Sequence, residues 1–270
     1  YESAGPIRAP QDDTVAATPQ IAGQDGVLVR VDWGLCDDDT ACLLDTIQKN
    51  LDSAASRNLK VALAVSDGHT IPPAVKSACV TFPFVFNGEN QTMCLAWDTN
   101  YLQAKQDFIR QLGARFDDHP ALGYVYFTGA CSTNGFEGHC RVDQSLYTNA
   151  GYNSTKLSDA YLQIMQAYVD AFPATPIAFE AHTLFGSSSV WSNVWNATKN
   201  GGRVGIAAWW CSERMTLNGA DTVPVWPLVQ QAATSSFAVC QTIGNFTSQP
   251  YRFSDDTLAL DYGTQSVWTS

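Results

Sequence analysis

Apolar residues along the chain fall into two kinds of segment, short unbroken runs and longer stripes with helical spacing. An unbroken apolar run rich in β-branched residues predicts a strand that is buried on both faces. Such runs occupy Gly26–Trp33, Lys60–Val65, Leu122–Gly129, Pro176–His182, Arg203–Trp210, Phe237–Ile243 and Thr257–Gly263. One more strand is expected near Pro6–Arg8, within an extended amino-terminal arm that covers residues 1–25.

Three stripes with helical spacing lie between these runs and predict amphipathic helices. The first helix is expected to begin at an N-cap, Asp39 or Thr40, and the third to end before Pro173. The stripes comprise Leu43, Leu44, Ile47, Leu51 and Ala55; Tyr101, Lys105, Phe108, Ile109, Leu112 and Phe116; and Leu157, Tyr161, Ile164, Met165, Tyr168 and Phe172. The proline-containing residues 68–98 are expected to form a long loop.

Strands that alternate with helices, and that are apolar throughout, indicate a parallel sheet with helices packed against it. At 270 residues, the chain is close to the typical length of a (β/α)8 TIM barrel, about 250 residues. We therefore predict the α/β class and a single (β/α)8 domain over residues 1–270. A doubly wound open sheet is the alternative, but no Gly-x-Gly-x-x-Gly follows the first strand.

Cysteine usage favours an extracellular protein. The eight cysteines form four pairs of neighbours in the sequence, Cys36 with Cys42, Cys79 with Cys94, Cys131 with Cys140, and Cys211 with Cys240. Four disulfides would form in an oxidising compartment. Free thiols or a metal site are the alternative, although no zinc-ligand spacing is present. Four glycosylation sequons also favour a secreted glycoprotein: Asn90, Asn153, Asn196 and Asn245.

Charge and hydropathy narrow the possible partners. A net charge of −11 argues against nucleic acid, whose phosphates it would repel. No apolar run approaches the roughly 20 residues that span a bilayer, and we expect any signal peptide to have been removed from the chain. We predict a monomer that needs no cofactor and acts on a carbohydrate.

The carbohydrate prediction comes from the residues that follow the strands. In a barrel, the side chains just beyond the carboxyl ends of the strands form the active site. Here they are rich in carboxylates and aromatic rings, which suit acid-assisted cleavage of a glycosidic bond and stacking against sugars. The candidate catalytic residues are Glu137, Glu180 and Glu213, and the candidate substrate-binding residues are Asp32, Trp33, Asp67, Asn134, His182, Trp209, Trp210 and Gln241.

Each acid also has a structural interpretation. Glu137 could be a solvated carboxylate in a glycine-rich loop. Glu180 lies in an apolar strand, where an unpaired acid would be costly, so it either lines a polar site or pairs with an arginine such as Arg30 or Arg203. Glu213 could form a surface ion pair with Arg214. We expect Glu137 to be the general acid and Glu180 the nucleophile or base, with Glu213 as the alternative.

Three segments carry a resemblance to a known group: LGARFDDHP (Leu112–Pro120), GACSTNGFEGH (Gly129–His139) and VRVDWG (Val29–Gly34). They resemble clan A glycoside hydrolases, most of all the β-galactosidase-like branch. The resemblance implies a (β/α)8 barrel in which Glu137 is similar to the acid/base that follows the fourth strand. That clan carries its nucleophile at the end of the seventh strand, where this chain has Gln241 and no acid. Either the strands are numbered differently from this count, or the partner is Glu180 or Glu213.

Other functions remain as alternatives. A non-catalytic, glycan-binding barrel would tolerate the missing acid on the seventh strand. A metal-dependent hydrolase could use Asp67, His69 and His182, although their spacing signals nothing specific. A serine hydrolase is not expected, because no Gly-x-Ser-x-Gly elbow is present.

Overall fold

A parallel sheet forms the centre of the protein. The computed structural model describes residues 1–131, 135–138, 140–209 and 225–241, with only the backbone described at Glu2, Trp209, Cys240 and Gln241. Seven of the described strands pair in parallel in the order β1-β2-β3-β6-β7-β8-β9. They span Glu2–Ile7 (β1), Gly26–Asp32 (β2), Lys60–Ser66 (β3), Leu122–Phe127 (β6), Ile177–Glu180 (β7), Val204–Trp209 (β8) and Ala238–Gln241 (β9).

Helices connect the strands, as the sequence predicts for an α/β fold of the (β/α)8 type. The helices span Thr14–Ala17 (α1), Thr40–Ser56 (α2), Pro73–Ala78 (α3), Thr99–Phe116 (α4), Gln144–Asn149 (α5), Ser154–Ala171 (α6), Ser189–Thr198 (α7) and Trp226–Ser235 (α8). The three predicted stripes lie on α2, α4 and α6. Carboxylate or amide side chains cap these helices: Asp39, Asp98 and Asn153 each accept from a backbone N–H of the first turn, which stabilises the helix start.

The amino-terminal residues differ from the expected extended arm. Glu2–Ile7 pairs in parallel with β2, so the strand expected near Pro6–Arg8 is present and longer than predicted. The strand predicted at Thr257–Gly263 lies outside the described residues.

The two faces of the sheet bury different side chains. Val27, Val29 and Val31 of β2 pack in the large core together with residues of the helices. Leu28 belongs to a second, smaller cluster on the opposite face, which Tyr124, Tyr126, Ala178 and Ala207 share. This alternation follows from the two-residue period of a strand. The second face corresponds to the packed interior of the barrel, and an active site in this fold lies where that interior opens at the carboxyl ends of the strands.

A β-hairpin occupies much of the predicted long loop. Thr81–Phe86 (β4) and Glu89–Cys94 (β5) pair in antiparallel fashion after helix α3. Asn87 and Gly88 both have positive φ angles, 51° and 83°, as a two-residue hairpin turn requires. The loop prediction was therefore wrong here, and a compact hairpin lies at the carboxyl end of the third sheet strand.

Three of the four expected disulfides are present: Cys36–Cys42, Cys79–Cys94 and Cys131–Cys140. The fourth expected pair, Cys211–Cys240, lies outside the described side chains. In the parts of the chain that the structure describes, no helix has both the length and the apolar character needed to cross a bilayer.

Candidate active site

Polar residues gather where the inner strands of the sheet end. Asp32 is the last residue of β2, Glu180 is the last residue of β7, and Glu137 lies in the loop after β6, the fourth strand of the main sheet. Because the strands are parallel, their carboxyl ends meet at one edge of the sheet. The chain therefore brings carboxylates from distant parts of the sequence to one end of the barrel.

Glu180 is the most enclosed of these acids, with 2% of its surface exposed. Its Oε2 accepts a hydrogen bond of 2.6 Å from the backbone N–H of Gly138, and its Oε1 lies 2.5 Å from Nδ1 of His182. The hydrogen bond from the amide orients the carboxylate, and the imidazole, which is charged only when it is protonated, lies at ion-pair distance from it. The partners are thus a loop amide and an imidazole. Arg203, one of the expected arginine partners, instead donates to the backbone carbonyls of Phe172 and Val169.

The loop that bears Glu137 is pressed against the end of β7. A Cβ atom on Gly138 would lie 1.9 Å from the carbonyl oxygen of Glu180 and 2.8 Å from the indole ring of Trp191. Only glycine fits at this distance. The contact fixes the position of the residue next to Glu137 relative to the Glu180 carboxylate.

We predict that Gly138→Ala displaces this loop. Since the new methyl group would overlap backbone that cannot move aside, we expect a loss of about 1–3 kcal/mol in the free energy of unfolding. Gly201→Ala is the control, because a Cβ at position 201 meets nothing within 4 Å. Urea unfolding of both variants measures the difference, and equal midpoints would show that the loop is not confined as described.

Glu137 is half-buried and lies near the charged side chain of Arg30. Arg30 of β2 interacts electrostatically with both Glu137 and Asp32. Burial lowers the pKa of the Arg30 guanidinium, while these two acids raise it in part and Arg8 lowers it further. Arg30 therefore lies within electrostatic range of both carboxylates.

Asp32 differs from an ordinary surface aspartate. Burial raises its pKa, against the opposing influence of Arg8, His69, a hydrogen bond from Ser66, and Arg30. A carboxyl group with a raised pKa takes up a proton more readily at mildly acidic pH. Perturbed carboxyl groups of this kind are common in active sites.

Two predicted substrate contacts lie in the core on the helix side of the sheet. Asp67 is fully buried, 2.7 Å from Nζ of Lys105 and 2.9 Å from the hydroxyl of Tyr101. Trp33 packs on Phe108 with ring centroids 5.0 Å apart, and Nζ of Lys105 lies 4.9 Å from the centre of its ring. These contacts favour a structural role for Asp67 and Trp33 over contact with a substrate.

The remaining predicted residues are described in part or not at all. His182 lies beside Glu180. Trp209 and Gln241 are paired by the backbone at the ends of β8 and β9, and their side chains are not described. Asn134, Trp210 and Glu213 lie outside the described residues. Among the residues that are described, no group of three or more His, Cys, Asp or Glu side chains is arranged to hold a metal ion.

Tyr126 is a neighbour of the site that the sequence analysis did not single out. Its ring faces the interior cluster, and its hydroxyl lies 3.4 Å from that of Tyr124. Burial, together with the charge of Glu180, raises the pKa of Tyr126 to about 12, so the phenol stays protonated at neutral pH. Side chains of a strand alternate between its two faces, so this period within the Leu122–Gly129 run would have predicted that Tyr124 and Tyr126 share one face.

Comparison with known proteins supports the fold. No family model and no curated protein matches the chain. GH5_18 from Streptomyces cattleya, solved with GlcNAc, is 15% identical with a TM-score of 0.54, over 89% of this chain and 58% of that one. Endo-glycoceramidase II from Rhodococcus sp., solved as a lactosyl-enzyme intermediate, is 13% identical with a TM-score of 0.53, over 97% and 70%. The catalytic domain of a Thermobifida fusca endoglucanase is 13% identical with a TM-score of 0.50, over 97% and 75%.

These identities establish likeness of fold and nothing finer. The chain spans less than two thirds of the Streptomyces structure. The three structures agree with the (β/α)8 architecture that the resemblance implied. None of them is named as a β-galactosidase, so that branch stays a prediction.

Proposed function

We propose that this protein is a secreted clan A glycoside hydrolase that cleaves a poly- or oligosaccharide. The observation that carries the proposal is the hydrogen bond from Gly138 N–H to Glu180 Oε2. It joins the loop that bears Glu137 to a second, inward-facing carboxylate at the open end of the strands. Glycoside cleavage requires two carboxyl groups that flank one bond.

The names of structurally similar proteins add support to the proposal. The names of two similar structures are those of glycosidases, an endoglucanase and an endo-glycoceramidase, and a third was solved with the sugar GlcNAc. A fold alone does not fix a function, so the argument depends on the carboxylates. The three disulfides support secretion, because such bonds persist in oxidising compartments.

In the proposed reaction, Glu137 donates its proton to the glycosidic oxygen as the bond from that oxygen to the anomeric carbon breaks. Glu180 acts on the opposite side of the sugar. As nucleophile it would form a glycosyl ester that water later hydrolyses; as base it would remove a proton from a water that attacks directly. The Gly138 amide and His182 would hold Glu180 in the orientation that either step needs.

Asp32 is a second candidate for the proton donor, because its pKa is raised and it shares Arg30 with Glu137. The positive charge of Arg30 works against protonation of a neighbouring carboxylate. Because Arg30 acts on both carboxylates, its charge does not distinguish them. Separate substitution of Glu137 and of Asp32 decides which group donates the proton.

Reducing-sugar release across a panel of soluble glycans tests the proposal. Glu180→Gln keeps the volume and an oxygen that can accept from Gly138, yet it lacks the carboxylate. We expect kcat to fall by about 10²-fold or more, with little change for Glu89→Gln on the exposed hairpin. Proton NMR of the anomer that the wild-type protein releases first separates the two possible roles of Glu180. Retained configuration indicates a nucleophile, and inverted configuration indicates a base.

Two outcomes would contradict this function. Wild-type turnover in both Glu137→Gln and Glu180→Gln would remove the proposed pair. Binding on a glycan array without any hydrolysis by the wild-type protein would instead favour the glycan-binding barrel.

A further inference from the structure

An apolar groove of about 740 Å³ lies beside the hairpin. Its walls are the strands β4 and β5, the segment Arg141–Asp143, and Leu146 of helix α5. Two large apolar side chains in it are strongly exposed, Val85 at 62% and Leu146 at 57%. Exposed apolar groups that share one groove form a candidate contact surface.

A glycosylation sequon forms part of the same groove. Asn90, Gln91 and Thr92 make up the sequon, and all three line the groove. In the hairpin, Asn90 is the cross-strand partner of Val85, and Thr92 is the partner of Pro83. Cross-strand partners share a face of the sheet and lie about 4.5–5.5 Å apart at Cβ. A sugar linked to Asn90 would therefore begin directly beside Val85.

We infer that Asn90 carries an N-linked glycan whose first sugars lie in this groove and cover Val85 and Leu146. The apolar C–H face of the sugar would contact the two aliphatic side chains, and its hydroxyl groups would face the polar rim formed by Thr92 and Arg141. The inference does not depend on the proposed catalysis. It does require passage through a glycosylating secretory pathway, which the disulfides support.

The attachment is a group transfer from a lipid-pyrophosphate-linked oligosaccharide, catalysed by the oligosaccharyltransferase of the host. Nδ2 of Asn90 forms a bond to C1 of the first GlcNAc and loses one proton. The bond between C1 and the phosphate oxygen breaks, and the lipid pyrophosphate leaves. No oxidant or reductant takes part.

The other two described sequons provide internal controls. Asn153 caps helix α6, where its Oδ1 accepts from the N–H of Lys156, and Asn196 lies on helix α7, where its Oδ1 accepts from Lys199. Neither residue lines the groove. Glycans at these positions would add mass to the protein without covering Val85.

Glycopeptide mass spectrometry of the full chain, secreted from a eukaryotic host, tests the attachment. We expect a glycan at Asn90 in the wild type and in Thr92→Ser, which keeps the sequon, and complete loss of it in Thr92→Ala. Asn90→Gln gives a second variant without the sequon. An unmodified Asn90 in the secreted wild type would overturn the inference.

Binding of an apolar fluorescent dye tests whether the glycan covers the groove. We expect dye fluorescence to rise in Thr92→Ala relative to Thr92→Ser, and Leu146→Asp to abolish that rise. Val80→Asp is the matched control, because Val80 is also 60% exposed and does not line the groove. Equal fluorescence of Thr92→Ala and Thr92→Ser would overturn the covering role. Two other results would also overturn the covering role. If octyl glucoside displaces the dye from the glycosylated protein, an alkyl ligand is the occupant. If the glycosylated protein forms a dimer that buries the groove, a second copy of the chain is the occupant.

Discussion

Replacement of Glu137 by Gln is expected to lower kcat/KM on an unactivated glycoside by about 10²–10⁴-fold, the range of a positioned general acid. Gln fills the same space and cannot give up a proton to the leaving oxygen. The loss is expected to shrink on a dinitrophenyl glycoside of the same sugar, because that leaving group departs without protonation. The measurement is kcat/KM for the two substrates with wild type and variant, because kcat/KM reports the first, acid-assisted cleavage whether or not a glycosyl ester then forms.

Asp32→Asn is the informative partner of this experiment. If Glu137 donates the proton, only Glu137→Gln will lose activity selectively on the unactivated substrate. Selective loss in Asp32→Asn would transfer the role to Asp32, whose pKa burial already raises. Equal losses of kcat/KM on both substrates in Glu137→Gln would show that Glu137 does not act as an acid.

Replacement of Lys105 by Met is expected to cost about 3–5 kcal/mol in the free energy of unfolding, since it leaves Asp67 as a buried carboxylate without its charge partner. Lys105 is fully buried, and its Nζ also lies 3.1 Å from the hydroxyl oxygen of Thr128. Burial lowers the pKa of Lys105, whereas the charge of Asp67, the electrostatic influence of Tyr168 and the hydrogen bond to Asp67 raise it. Together the raising effects are larger, so the pKa of Lys105 lies above its ordinary value. The stabilisation is therefore fully present at neutral pH and is lost only as the pH rises through that raised pKa.

Urea unfolding at pH 7 measures this cost. Lys49→Met on the exposed face of α2 is the matched control and is expected to change stability little. The double variant Lys105→Met with Asp67→Asn is expected to recover part of the loss, because the second change removes the unpaired charge. A loss no larger than that of Lys49→Met would mean that the ion pair does not stabilise the fold.

Strand and helix order could be predicted from the sequence because burial dictates it. The runs that gave β2, β3, β6, β7 and β8 are mostly apolar on both faces, which distinguishes them from the amphipathic helices between them. The hairpin was missed because Pro72, Pro73 and Pro83 suggested a loop. Phe82, Phe84 and Phe86 alternate with exposed residues, and Asn87–Gly88 is a strong hairpin turn signal, so the information was present.

The site was less predictable, because a strand end does not reveal which way each side chain points. Asp32 and Trp33 are neighbours in the sequence, yet Asp32 is coupled to Arg30 and His69 while Trp33 packs among the helices. The partner of Glu180 was equally hidden. A backbone amide such as that of Gly138 carries no signature of the side chain that it will bind.

Close approach at Gly138 also limits how this protein can diverge. The carbonyl of Glu180 occupies the space that a methyl group at position 138 would need. Related sequences can therefore replace Gly138 only if the end of β7 has moved. Substitutions at the two places should then arise together or not at all. Lineages that retain this glycine while losing the acid would preserve the shape of the junction without its charge.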